Sequence, residues 1–211
     1  MLNRRVISYT VLLWVRWTIS SLPGYIHPDE YFQSPEVTAA SVFDIKTFTP
    51  WEYQPEHAAR SVLVPFLTTG LPLWIVRRVA ELAEGTMQQV PRAIDMYFAE
   101  RVSSFLYSLI IDYAVYRMCK QIGKDPVLPF LLVSTSQVML VYYMRPFSNS
   151  VESVALCLAF SIYATTLQKI TSIRSFALGS VLSLGIFTRI TFILYGFPVG
   201  LGFLLNAYKK R

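Results

Sequence analysis

Apolar residues run through this chain in long blocks separated by short polar stretches, and they do not alternate with polar ones. Residues 6–22 form the first block, just long enough to span a bilayer as a helix if its ends snorkel. Further blocks predict helices over 97–119, 126–143, 150–167, 175–188 and 191–207. Residues 61–76 are also apolar, but short and broken by Pro65, Gly70 and Pro72, so they predict a re-entrant or interfacial helix and no full crossing. The pattern predicts an all-α polytopic membrane bundle of six spanning helices, a single membrane domain over 1–211, with no internal repeat and no low-complexity tract.

Residues 23–60 differ in kind. They hold five of the prolines, both histidines (His27 and His57) and clustered acids, which predicts a long aqueous loop. Long loops between packed elements usually carry function. Residues 1–22 have some features of a secretory leader, with Arg4 and Arg5 at its start. Arg16 interrupts the apolar stretch, however, and no small-x-small cleavage site precedes Pro23, so an uncleaved first membrane helix is the better reading.

Composition agrees with a membrane chain. Hydrophobic residues make up 54% and charged residues 15%, against roughly 25% charged in a soluble domain. Mean hydropathy is +0.43, and the 15% aromatic share suits interfacial belts of Trp and Tyr. The net charge of +6 comes from Lys and Arg scattered between apolar runs and forms no basic stripe, which argues against nucleic acid. With Arg4 and Arg5 cytosolic and 61–76 not crossing, Lys120 with Lys124, Lys169 with Arg174, and Lys209, Lys210 and Arg211 all become cytosolic. Arg77 with Arg78 is the exception. A crossing by 61–76 would make that pair cytosolic and flip every later loop.

Cys119 and Cys157 lie in apolar runs and read as free buried thiols; no spacing argues for zinc or another metal, including around His57, Glu52 and Glu56. None of Asn3, Asn149 and Asn206 begins a glycosylation sequon.

Three motifs carry candidate chemistry. His27-Pro28-Asp29-Glu30 follows the first helix. His27 can cap a short helix, with Pro28 at its first position and acids in its first turn, and this purely structural reading stands. The other reading is a general base, since paired carboxylates beside a membrane are costly unless solvated or used; the helix N-terminus would favour an ionised Asp29. Arg145-Pro146-Phe147-Ser148-Asn149-Ser150-Val151-Glu152 opens a helix, with Pro146 suited to its first position and Ser148, Asn149 and Glu152 on one face. That face serves either inter-helix bonding or, with Arg145, a phosphate at the helix N-terminus. Arg189 in Thr188-Arg189-Ile190-Thr191, and Arg60 in Ala58-Ala59-Arg60-Ser61, either snorkel or pair with a phosphate.

Tyr25-Ile26-His27-Pro28-Asp29-Glu30-Tyr31-Phe32-Gln33 resembles the first lumenal loop of the dolichyl-phosphate-mannose-dependent mannosyltransferases (glycosyltransferase family 22), and Pro50-Trp51-Glu52-Tyr53 with Ala58-Ala59-Arg60-Ser61 fits the same loop. Phe147-Ser148-Asn149-Ser150-Val151-Glu152 and Phe187-Thr188-Arg189-Ile190-Thr191-Phe192 most resemble the branch that adds the fourth mannose to the glycosylphosphatidylinositol (GPI) core. The resemblance implies a GT-C-like fold in the endoplasmic-reticulum membrane with 23–60 as a lumenal active-site loop. It implies inverting, metal-independent transfer, without a cofactor, from dolichyl-phosphate mannose to a GPI glycolipid acceptor. Asp29 would be the base, with Glu30 the second choice, and His27, Arg60, Arg145, Ser148, Asn149, Glu152 and Arg189 would position substrate or phosphate. The same chemistry on the third GPI mannose or on the N-glycan lipid precursor is a sister reading, and a non-catalytic transporter or scaffold is one of another class. Family members are usually about twice as long, so the chain reads as an N-terminal part, expected to be inactive alone.

Overall fold

The computed structural model describes residues 4–57, 59–84 and 90–210, and every regular element among them is helical. The helices are α1 (Arg4–Ser20), α2 (Asp29–Phe32), α3 (Pro35–Phe43), α4 (Leu63–Pro65), α5 (Leu71–Glu84), α6 (Ala93–Gln121), α7 (Val127–Ser134), α8 (Ser148–Gln168), α9 (Ser172–Thr188) and α10 (Ile193–Lys209). They form two compact units, one from the described residues of Met1–Leu106 and Gln137–Ser148, the other from those of Tyr107–Ser136 and Asn149–Arg211.

In the first unit α1 runs antiparallel to the start of α6. Trp17 meets Phe105 edge-on, with ring centroids 5.5 Å apart, and the Tyr97 hydroxyl donates to the Leu22 carbonyl at 2.6 Å. The segment 23–60 is more ordered than a loop, since it carries α2, α3 and a 3-10 turn at Trp51–Tyr53. Val42 and Phe43 of α3 form a small core with Leu73 of α5, and the Thr38 and Thr69 hydroxyls share a 2.9 Å hydrogen bond.

The short, broken element expected at 61–76 is corrected. α4, a π-helical turn at Phe66–Gly70 and α5 follow one another directly, so Leu63–Ala83 is a 21-residue stretch long and apolar enough to cross a membrane. Its breakers are absorbed locally. Pro72 has no N–H for the Thr68 carbonyl four residues back, and that carbonyl instead accepts the Ser103 hydroxyl at 2.7 Å. Arg77 and Arg78 stay inside the helix, bonded to Glu81 at 2.9 and 2.8 Å, and Arg77 also donates to the Val42 carbonyl.

The helix expected at 126–143 is also corrected, because α7 stops at Ser134 and a π-helical turn resumes at Val138–Tyr142. At the break the Thr135 and Ser136 hydroxyls donate to the carbonyls of Leu131 and Val133 at 2.7 and 2.8 Å. Such back-bonding competes with the backbone ladder. The six-span expectation holds only in part. Among the described residues Leu63–Ala83 and Ser148–Gln168 are long and apolar enough to cross, whereas Val6–Ser20 and Ser172–Thr188 are apolar but shorter. α6 is long, but it carries Glu100, Arg101, Asp112 and Arg117.

In the second unit Ala159, Leu178 and Val199 form the core of α8, α9 and α10. Phe192, fully buried in the turn Ile190–Phe192, seats its ring where Gly185 and Gly196 have no side chain; a Cβ there would lie 2.3 and 2.8 Å from it. The carbonyls around the end of α8 are closed by cations. Arg174 donates to Thr165 and Lys169 at 2.9 and 2.7 Å, and Lys210 to Leu167 at 2.5 Å, the favoured place for positive charge. Arg211, expected with this group, lies outside the described residues.

Candidate active site

The loop motif folds around a single helical turn. The His27 Nδ1 accepts the Asp29 backbone N–H at 3.2 Å, but α2 begins at Asp29 with Pro28 at its N-cap, so Pro28 precedes the helix and does not occupy its first position as expected. Asp29 Oδ1 stands 3.5 Å from the same nitrogen. The Asp29 side chain is 47% exposed. α2 has only four residues, and a macrodipole is a sum over aligned peptides, so the helix-terminus support expected for Asp29 is slight.

Glu30, the next residue, is fully buried. Arg101 lies 2.6 Å from its Oε1, and Arg145 donates to Oε1 and Oε2 at 2.8 and 2.9 Å. Ile26 N–H donates to Oε2 at 3.2 Å. The two arginines also donate to the Gly24 carbonyl, at 3.3 Å from Arg101 and 2.8 Å from Arg145. Arg101 stacks over the Tyr97 ring at 4.8 Å, and its side chain is 2% exposed against 12% for Arg145. Breaking such a buried pair by removing one partner costs about 3–5 kcal/mol. Gln33, one turn on, accepts the Ser148 hydroxyl at 3.0 Å.

Arg60 is held in the same segment by Glu52 at 3.1 Å, and the backbone N–H groups of Ala59 and Arg60 donate to the Glu52 carbonyl at 2.9 and 3.2 Å. Burial raises the Tyr53 hydroxyl above its ordinary pKa against the opposing pull of the Arg60 cation. Trp51, largely exposed, meets His57 edge-on. Ala58 lies outside the described residues.

The second unit gathers Asn149, Glu152 and Arg189. The Arg189 guanidinium donates to Asn149 Oδ1 and stands 3.9 Å from Glu152 Oε2, while the Thr191 hydroxyl donates to Glu152 Oε1 at 3.3 Å. Arg189 reaches this position because its backbone is extended (φ −155°, ψ 134°) between α9 and the following turn. Its side chain is 28% exposed. α8 begins at Ser148, so Pro146 precedes the helix and does not occupy its first position as expected. Ser148, expected to act with Asn149 and Glu152 on one face, bonds to the loop motif instead.

Arg101 was not singled out from the sequence. The signal was a charge inside the apolar block 97–119, because an ionisable residue within a predicted span is by default a functional candidate. Among the described residues no three His, Cys, Asp or Glu side chains come together.

The family model described as the Alg9-like mannosyltransferase family matches residues 7–211. The chain is similar to the human GPI alpha-1,2-mannosyltransferase 4, with 34% identity over 87% of this chain and 33% of that protein. It is 32% identical to the GPI mannosyltransferase 4 of Eremothecium gossypii over 98% of this chain and 40% of the relative, and 30% identical to that of Schizosaccharomyces pombe over 99% and 39%. It thus spans about a third to two fifths of the length of these curated relatives. No solved structure matches it.

Proposed function

We propose that this chain, which belongs to the Alg9-like mannosyltransferase family, carries the lumenal active-site loop of an endoplasmic-reticulum enzyme that transfers mannose from dolichyl-phosphate mannose to a GPI precursor as the α1,2-linked fourth mannose. The observation that carries this reading is the run of relatives named GPI mannosyltransferase 4 along most of the chain. In the reaction the acceptor hydroxyl gives its proton to Asp29 as its oxygen bonds to the anomeric carbon. The bond from that carbon to the donor phosphate oxygen breaks, dolichyl phosphate leaves, and the configuration inverts. A half-exposed carboxylate suits a group that must meet a sugar hydroxyl. Arg189, with Asn149, is the candidate for the donor phosphate, since a guanidinium matches phosphate oxygens in pairs.

The hydrogen bonds of the first unit support a site on one side of the bilayer, and the loop charges favour the lumenal side. Leu22, Glu30, Tyr97, Arg101 and Arg145 are joined to one another directly or through Gly24, so they share one side of the bilayer. An even number of crossings then separates residue 30 from residue 97, and Leu63–Ala83 does not cross despite its length. α6 and the segment of α7 make the outward and return passes before Arg145, which leaves Lys120 and Lys124 cytosolic. Arg77 and Arg78, the exceptions to the loop-charge count, are both bonded to Glu81. The test is to supply the full-length gene to cells lacking each mannosyltransferase in turn and analyse their glycolipids. Disappearance of the three-mannose GPI intermediate is expected; correction of the N-glycan precursor defect instead would refute the acceptor.

A further inference from the structure

The loop motif presents two adjacent carboxylates whose surroundings differ completely, and this points to different jobs. We propose that Arg101 and Arg145 are positioning residues: they clamp Glu30, and through it fix the turn that carries Asp29. The clamp rests on the reading of Asp29 as the base.

The geometry ties the turn at both of its ends. Gly24, at φ +99°, adopts a backbone conformation that side-chain-bearing residues rarely reach, and its carbonyl accepts from both arginines. Ile26 N–H and Glu30 close the loop against the same cations, since Glu30 Oε2 accepts from Ile26 and from Arg145. His27, Pro28 and Asp29 lie between these tied points. Asp29 turns outward and Glu30 inward, as adjacent residues on a helical turn can.

Both oxygens of the Glu30 carboxylate accept, and the cations on them come from α6 and from the turn before α8, the latter 115 residues away in sequence. Arg101 is also aimed at the Met144 carbonyl at 3.5 Å, which links the two arginine-bearing segments. The bonds of Arg145 to Glu30 and to the Gly24 carbonyl all run through its Nη1, so a donor phosphate that drew this guanidinium away would leave the carboxylate buried beside Arg101 alone. A displacement of about 1 Å at a reacting group can cost about a hundredfold in rate, so a clamp that sets the Asp29 position acts on turnover more than on binding.

The test measures initial mannose transfer against donor concentration in the full-length protein, for Glu30→Gln, Arg145→Gln, the double variant and Asp29→Asn. Each of the first two should lower kcat by about tenfold to a hundredfold with donor KM changed less than about twofold. Because Glu30 and Arg145 are in direct contact and each change removes the same interaction, the double variant should lie within about threefold of the worse single one. The double variant leaves Arg101 alone without its carboxylate, one cation fewer than Glu30→Gln leaves, so it carries the comparison where Glu30→Gln fails to accumulate: turnover above that of a poorly made Glu30→Gln is then the expected result. Arg145→Gln that raises donor KM about tenfold at unchanged kcat, with losses that multiply in the double variant, overturns the clamp and makes Arg145 a phosphate ligand. Asp29→Asn with undiminished turnover overturns instead the base reading, even where Glu30 and Arg145 remain coupled.

Discussion

Two polar clusters, one in each unit, use the same residue types and treat solvent oppositely. In the first unit Glu30 is fully buried, with Arg101 and Arg145 closed over it. In the second, Arg189 remains partly exposed, shared loosely between Asn149 and Glu152. A charge buried and fully paired is committed to holding structure, because any ligand must first break the pair. A charge left partly open can still pair with something that arrives. On the proposed reading, scaffolding falls to the Glu30 cluster, and Asp29 and Arg189 are the groups that meet substrate.

The largest expected effect is all-or-none and tests whether the open groups share a side of the membrane. In sealed microsomes carrying the full-length protein without native cysteines, a cysteine at position 27 or 149 should be protected from an impermeant thiol reagent. A cysteine at position 169 should react. Accessibility at 149 with protection at 169 would mean that Leu63–Ala83 crosses, and the shared side inferred from the Glu30–Arg145 pair would fall.

Asp29→Asn should follow in size. General base catalysis is typically worth about 10²–10⁴ in rate, whereas losing a helix cap costs about 1 kcal/mol, or roughly fivefold. Transfer assays on protein matched for amount and donor binding separate the two: a loss of only fivefold would leave Asp29 as a capped turn's surface residue.

Much of the first cluster was legible in the sequence and its key was not. The motif from Tyr25 to Gln33 announces a special loop, and the apolar blocks locate α1, α6, α8, α9 and α10 to within a few residues. Which of Asp29 and Glu30 faces solvent is decided by Arg101 and Arg145, and contacts between residues so far apart leave no local periodicity. Arg101 was hidden because one charge barely lowers the average over an apolar block. The breaks at 66–70 and 135–137 depend on where single carbonyls find partners, such as Ser103 for Thr68, and a residue pattern does not record that. In the second cluster the motif around Arg189 was visible, but the seat of Phe192 between Gly185 and Gly196 was not.

That seat gives the next prediction. Gly185→Ala would bring a Cβ to 2.3 Å from the Phe192 ring, so the elbow that carries Arg189 must shift. Overpacking of this kind costs about 1–3 kcal/mol, against a gain of about 0.5–1 kcal/mol from alanine's better helix propensity. Thermal unfolding of the purified full-length protein should fall, and donor KM should rise through Arg189, while the Glu30–Arg145 coupling is unchanged. A stabilised variant with normal KM would show that the elbow does not set the Arg189 position.

The smallest expected effect distinguishes a tie from a contact with substrate. Ser148→Ala removes one neutral hydrogen bond to Gln33, typically worth about 0.5–1.5 kcal/mol. Gln33 is only partly buried, so water can replace the lost hydroxyl, and no ion is left stranded. The transfer rate of the full-length variant should therefore fall by less than about tenfold, the most that 1.4 kcal/mol allows, and well short of the loss from Glu30→Gln. Gln33→Leu in combination with Ser148→Ala should add little, since each removes the same bond. If Ser148→Ala alone abolishes transfer while the protein accumulates and binds donor normally, then Ser148 touches the reacting sugar. The boundary between holding structure and meeting substrate would then run through α8 itself.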